Sequence, residues 1–162
     1  MDSLNLNEEI KRLYPVVNLL KFPTGIIRFK YEDFTFGQIL GKQVREATHM
    51  LIKQKMAVKF VPLFIALEND QNKISEQISE QCKEVTMLRE LSKHENIVDF
   101  YGFCLHKENL LICMEVMDMS LRGLAFHAHK HYDYFPEEWL GVITVSVIKA
   151  LRFCKNESCI VI

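Results

Sequence analysis

Apolar positions along the chain change their period three times. In YEDFTFGQILG (31–41), Phe34, Phe36 and Gln38 alternate with Thr35, Gly37 and Ile39 in a stretch rich in aromatic and β-branched residues. That period of two predicts a strand, and VREATHML (44–51) predicts a second. Only GKQ (41–43) lies between them, which suits a tight hairpin turn. KMAVKFVPLF (55–64) is nearly all apolar and predicts a third strand, buried on both faces. The spacing then lengthens. In NKISEQISEQCKEVTMLRELSK (72–93), Ile74, Ile78, Cys82, Val85, Leu88 and Leu91 recur every three or four residues, the stripe of an amphipathic helix. NIVDFYGFCLHKE (96–108) and NLLICMEVM (109–117) return to strand, joined by a turn near Lys107 to Asn109. SLRGLAFHAHKHY (120–132) predicts a helix. FPEEWLGVITVSVIKALRFCKNE (135–157) predicts another, opening on Pro136 and two glutamates as helices do. In the leader, residues 1–30, Pro15 and FPTG (22–25) break any long helix, and a flexible segment is expected there.

The order is therefore three strands, a helix, two strands and two helices. It predicts an α+β fold: an antiparallel sheet with one long helix packed on it, followed by a mostly helical segment. At 162 residues, 49% apolar and 25% charged, the chain is the size and composition of one globular domain. A net charge of −1 gives no electrostatic case for nucleic acid or an anionic membrane as partner. The polar start predicts no signal peptide, and no apolar run approaches the roughly 18 residues that span a bilayer. Five cysteines with no close pairs fit reduced thiols, and hence a cytoplasmic or nuclear protein.

One residue breaks the apolar pattern of the third strand. In MAVKF (56–60), Lys59 sits where Ala57, Val58, Phe60 and Val61 ask for burial, and a buried ammonium is costly unless an acid meets it. A lysine on a third strand followed by a long helix resembles the small lobe of a protein kinase. There the lysine pairs with a glutamate of the helix and holds the α- and β-phosphates of ATP. Glu84, at the edge of the helix stripe, is the matching acid. HENIVDFYGF (94–103), LLICMEVMDMSL (110–121) and PEEWLGVITVSVIKAL (136–151) carry the resemblance further, to the MAP kinase kinases, dual-specificity enzymes that phosphorylate a MAP kinase on threonine and tyrosine. It runs from about Asp33 to Lys155. It implies a small lobe over 31–114, a hinge over 115–120 and the start of a large lobe over 121–162. It also implies an ATP site. Lys59 and Glu84 would be the ion pair and Ala57 part of the adenine pocket's roof. Met114 would be the gatekeeper, and Glu115 and Met117 the hinge offering a backbone carbonyl and N–H to adenine.

Two departures bear on activity. The family's G-x-G-x-x-G-x-V loop folds its backbone over the phosphates because glycine permits close approach. Here LGKQVREA keeps Gly41 and Val44 and lacks the residues between, two glycines included. Sliding the match to Gly37 keeps the loop length but puts Ile39 and Lys42 at glycine positions, so the shortened loop is preferred. Secondly, the sequence contains no H-R-D and no D-F-G, the motifs that carry the catalytic aspartate and the Mg²⁺ ligands. Weak or lost ATP binding, no Mg²⁺ ligands and an inactive chain are expected. The readings are a kinase of this family by descent, a catalytically dead module that binds a MAP kinase or an upstream kinase, or a truncated product.

His127 and His131, four apart, suggest metal ligands, but no further cysteine or carboxylate completes a site, and a solvated helix face is the better reading. Cys154 and Cys159 lack zinc spacing and read as buried or idle thiols. KRLYPVVNLL (11–20) has basic residues ahead of Val17 and Leu19, similar to the motif by which MAP kinase kinases hold their MAP kinase; a packed terminal segment is the preferred reading. Finally, Leu140, Ile143, Val147, Ile148 and Leu151 fill one face of the last helix, while Trp139, Val142, Val145 and Phe153 spread apolar surface over most of the rest. Self-association through residues 139–153 is expected.

Overall fold

The computed structural model describes residues 17–62, 80, 83, 85–107, 109–132 and 134–156. They form two compact units. The first comprises residues up to Arg89 together with Asp99–Val116, and the second comprises Glu90–Val98 and everything from Met117 onward.

The first unit is built on strands. β1 (Leu19–Phe22) and β2 (Gly25–Arg28) make a two-stranded hairpin. β3 (Phe34–Gly41), β4 (Val44–His49), β5 (Lys55–Pro62), β6 (Phe100–His106) and β7 (Asn109–Met114) make an antiparallel sheet in the order β3-β4-β5-β7-β6. Residues 85–91 are helical and form α1. The expected antiparallel sheet and hairpin turns are thus present. The earlier part of the predicted helix, with Ile74, Ile78, Cys82 and Glu84, falls outside the described residues.

Alternation along β5 sorts the core onto two faces. Met56 and Val58 point to one side with Ala47, Leu111 and Cys113, where Leu20, Phe22, Phe29, Phe34, Tyr101 and Cys104 join them. On the other side Ile112, Leu110 and Phe103 pack with Val17 and with Val85 of α1. Burying both faces explains why KMAVKFVP reads as a nearly continuous apolar run. Its ends, Lys55 and Pro62, are exposed.

Within the leader, Leu19–Phe22 and Gly25–Arg28 are strands. Pro23 and Thr24 do not merely interrupt a helix; they form the turn that pairs Phe22 with Gly25. Leu20 and Phe22 then reach the core, and Asn18 fastens the hairpin to the edge strand β6. Its N–H donates to the Phe103 carbonyl at 3.0 Å, its carbonyl accepts from Phe29 N at 2.8 Å, and its Oδ1 accepts from Leu105 N at 2.8 Å. Asn18 holds φ at +63°, a left-handed conformation that asparagine tolerates better than most residues. Val17 of the basic-then-apolar segment is buried and Leu19 is paired in β1, as a packed segment requires. Residues 11–16 of that segment lie outside the described residues.

The second unit carries two helices, α2 (Leu121–Tyr132) and α3 (Glu137–Asn156). Ser120 caps α2, its hydroxyl accepting from Gly123 N at 3.1 Å. The carbonyl of Pro136 accepts from Trp139 N and Leu140 N, both at 3.1 Å, at the start of α3. Trp139 packs edge-on against Tyr132 and Phe135, and Phe153 lies 4.9 Å from the His94 ring. No helix among the described residues is long and apolar enough to cross a membrane.

Candidate nucleotide-binding face

The register of three central strands gathers four of the predicted site residues. Val44 of β4 stands opposite Lys59 of β5, and Ala57 of β5 stands opposite Met114 of β7. Residues directly opposite in an antiparallel pair share a face, and Ala57 and Lys59 are two apart on one strand. Val44, Ala57, Lys59 and Met114 therefore lie on one face of the sheet. Ile112, opposite Lys59 from the β7 side, is fully buried there. The lysine stem thus runs over apolar surface, half-buried itself, as long cationic side chains commonly do. Glu84 falls outside the described residues.

The turn beside this face is short. Gly41 pairs with Val44, so Lys42 and Gln43 form the whole β3–β4 connection. Gln43 is held down, its carbonyl accepting from Phe60 N at 2.8 Å. Neither Lys42 nor Gln43 takes a positive φ. The turn is therefore not of the primed type that best matches strand twist, and β3 slips register twice nearby, between Phe36 and Ile39 and between Ile39 and Gly41. A cavity of about 260 Å³ adjoins the turn, with Arg45, Phe60 and Pro62 among its walls. Those three side chains alternate with Val44, Lys59 and Val61 and so lie on the opposite face from the lysine, while Val44 also lines the cavity where it meets the turn.

At the end of β7, Glu115 is tied to Asp99. Its N–H donates to the Asp99 carbonyl at 2.8 Å, and its Oε2 accepts from Asp99 N at 3.3 Å. The group assigned to adenine by resemblance is the Glu115 carbonyl, and this pairing uses the N–H and the carboxylate instead. Tyr101 lies nearby, and burial first, then the charges of Glu115 and Asp99, push its phenol up from the usual value. Met117 is exposed and belongs to the second unit.

Sequence reasoning missed Ile112 and Asp99. Ile112 could have been found by aligning the two strands on their hairpin and counting outward. Asp99 carries no signal, because its role is played by backbone atoms. His127 and His131 sit side by side on α2, and Cys154 is buried on α3. No group of three or more potential metal-binding side chains exists among the described residues. Cys159 falls outside them.

The protein kinase domain family matches residues 35–161. The chain is 32% identical over 107 residues to the dual specificity mitogen-activated protein kinase kinase sek-1 of Caenorhabditis elegans, covering 65% of this chain and 32% of that protein. It is 31% identical over 122 residues to mek-2, a second such kinase of the same organism, covering 75% of this chain and 27% of the relative. It is also 29% identical over 165 residues to the serine/threonine-protein kinase Nek10 of Mus musculus, covering 98% of this chain and 15% of that one. The chain spans about a third or less of the length of these relatives. The chain belongs to the protein kinase family and is MAP kinase kinase-like in sequence.

Proposed function

We propose that the sheet face bearing Val44, Ala57, Lys59 and Met114 receives the nucleotide of a MAP kinase kinase-type protein kinase, the phosphoryl donor being ATP and the acceptor a MAP kinase. The observation that carries this reading is the paired register, Val44 with Lys59 and Ala57 with Met114, which puts a cation at the rim of an apolar wall. Adenine is a flat, largely apolar ring that such a wall suits, and an ammonium two residues along is positioned for phosphate oxygens. When bound, ATP supplies the group to be transferred. Val44, Ala57 and Met114 hold the base and Lys59 draws the phosphates, with Glu84 assigned as the lysine's partner by the family resemblance alone.

The 162-residue chain by itself is proposed to be inactive. The two-residue turn Lys42–Gln43 offers no glycine to close over phosphates. The sequence contains neither an H-R-D aspartate to accept the substrate proton nor a D-F-G aspartate for Mg²⁺. Its unpaired thiols, Cys104, Cys113 and Cys154 among the described residues, suit a reducing compartment, the cytosol or nucleus. It is further proposed to self-associate through α3.

The test is phosphate transfer. The chain is incubated with labelled ATP, Mg²⁺ and an inactive MAP kinase, beside a Lys59→Met variant. Equal background incorporation in both is the expected result. Incorporation above the variant would overturn the inactivity and support the lysine's role at once.

A further inference from the structure

The two imidazoles of His127 and His131 lie on the same side of α2, one turn apart, with ring centroids 4.3 Å from each other. Both residues are exposed. His129, between them in sequence, is turned away by about 200° around the helix axis. The rings are in contact, tilted 43° to each other. Two imidazoles at i and i+4 on one helix face are spaced so that both can reach one ion.

Imidazole nitrogens suit Zn²⁺, Ni²⁺ and Cu²⁺, and the affinity of a given nitrogen site is highest for Cu²⁺. With no third potential ligand beside the pair among the described residues, the ion that binds two nitrogens most strongly is favoured. We infer that His127 and His131 form a two-nitrogen chelate for a divalent transition metal, Cu²⁺ before Ni²⁺ or Zn²⁺, on the exposed face of α2. The remaining equatorial positions belong to water or to a small chelator, since no third potential ligand joins the pair among the described residues. The inference is independent of the nucleotide face.

The probe is Cu²⁺ supplied as its nitrilotriacetate complex, which leaves two adjacent equatorial positions open. It is titrated into the 162-residue chain near neutral pH and followed by electron paramagnetic resonance. One equivalent should bind with two imidazole nitrogens added to the copper signal. His127→Ala and His131→Ala should each weaken binding by about tenfold or more, because the second nitrogen is lost as an intramolecular ligand, while His129→Ala should change nothing. In the unmodified chain, substoichiometric probe should broaden the imidazole resonances of His127 and His131 before those of His94, His106 and His129. Undiminished binding by the His127→Ala, His131→Ala double variant would overturn the inference. So would a single coordinated imidazole, or uniform broadening of all six histidine rings, His49 included.

Discussion

Asn18 does three jobs from one position, and each depends on a different property. Its short polar side chain accepts from Leu105, its backbone bonds both Phe103 and Phe29, and its left-handed φ makes the geometry meet. Asn18→Ala removes the acceptor and raises the cost of the backbone conformation, so a loss of about 1–3 kcal/mol of unfolding free energy is expected. Asn18→Gly keeps the conformation and loses only the side-chain bond, and should cost less. Chemical denaturation of both variants checks the order. Gly102 is the partner constraint: φ is +148°, and an added Cβ would lie 2.4 Å from the Leu19 carbonyl oxygen, which is backbone and cannot swing away. Gly102→Ala should therefore push β1 off β6, seen as loss of amide exchange protection at Leu105. His106 is a different kind of residue-scale device. Its ring stacks 3.8 Å from that of Tyr31. Burial, with help from the Lys107 charge and against the pull of Glu32, lowers its pKa below the ordinary 6.5. The unfolded chain then binds the proton more readily than the fold, so this contribution is fully present above about pH 6.5 and is lost as pH falls through the lowered folded value. Thermal melting should therefore soften on acidification below pH 6.5, and His106→Gln should flatten that part of the profile. An unchanged slope in the variant would discard the assignment.

At the scale of elements, the β3–β4 hairpin decides what nucleotide binding can be. Its two-residue turn ends at the strand residues Gly41 and Val44, and no loop remains to cover phosphates. On the reading proposed above, the apolar wall of Val44, Ala57 and Met114 would be left to serve the base. Binding should thus be weak and governed by the nucleoside, with adenosine competing nearly as well as ATP in a titration. A strong, Mg²⁺-dependent preference for ATP would contradict this. The same hairpin shows why much of the sheet was legible beforehand. Alternation over 34–39, three turn residues and an apolar third strand suffice to order β3, β4 and β5, and the hairpin register then sets which side chains share a face with Lys59. The β1–β2 hairpin was not legible, because each strand has only four residues and β2 is mostly exposed, too little for a period to appear. Pro23, Thr24 and Gly25 were visible as a break, but a break does not say what it separates. Docking on β6 is decided by Asn18 and Gly102, whose conformations depend on partners more than eighty residues away in sequence. For the candidate site the limit was similar: Lys59 announced itself by breaking an apolar pattern, whereas Asp99 and Ile112 matter only once strands are paired.

Over the whole molecule, the distribution of apolar surface is uneven. The first unit buries a core on both faces of the sheet, with Leu20, Met56, Val58, Leu111 and Ile112 fully enclosed, while Ile26, Ile39 and Leu51 are exposed in its hairpins and turns. In the second unit, Leu140, Val142, Val145, Val147, Ile148 and Leu151 of α3 are all exposed, Val142 to 69% and Ile148 to 59%. Leu140, Val147, Ile148 and Leu151 recur at i, i+7, i+8 and i+11 and so share one side of this 20-residue helix, with Val142 and Val145 further round it. A scattered exposed leucine is ordinary, but a contiguous patch of this kind is favourable to cover, at roughly 25 cal/mol for each Å² of apolar surface removed from water. Charge does little to oppose association, since the net charge is only −1. The 162-residue chain should therefore form dimers or larger species through α3 at micromolar concentrations. Replacing Leu140, Val147 and Leu151 with serine removes apolar area from exposed positions without opening a core cavity. The triple variant should accordingly become monodisperse while keeping the melting transition of the sheet. Light scattering across a concentration series distinguishes the outcomes: a wild-type chain that stays monomeric at tens of micromolar would refute association, and a variant that associates as strongly as wild type would move the interface away from α3.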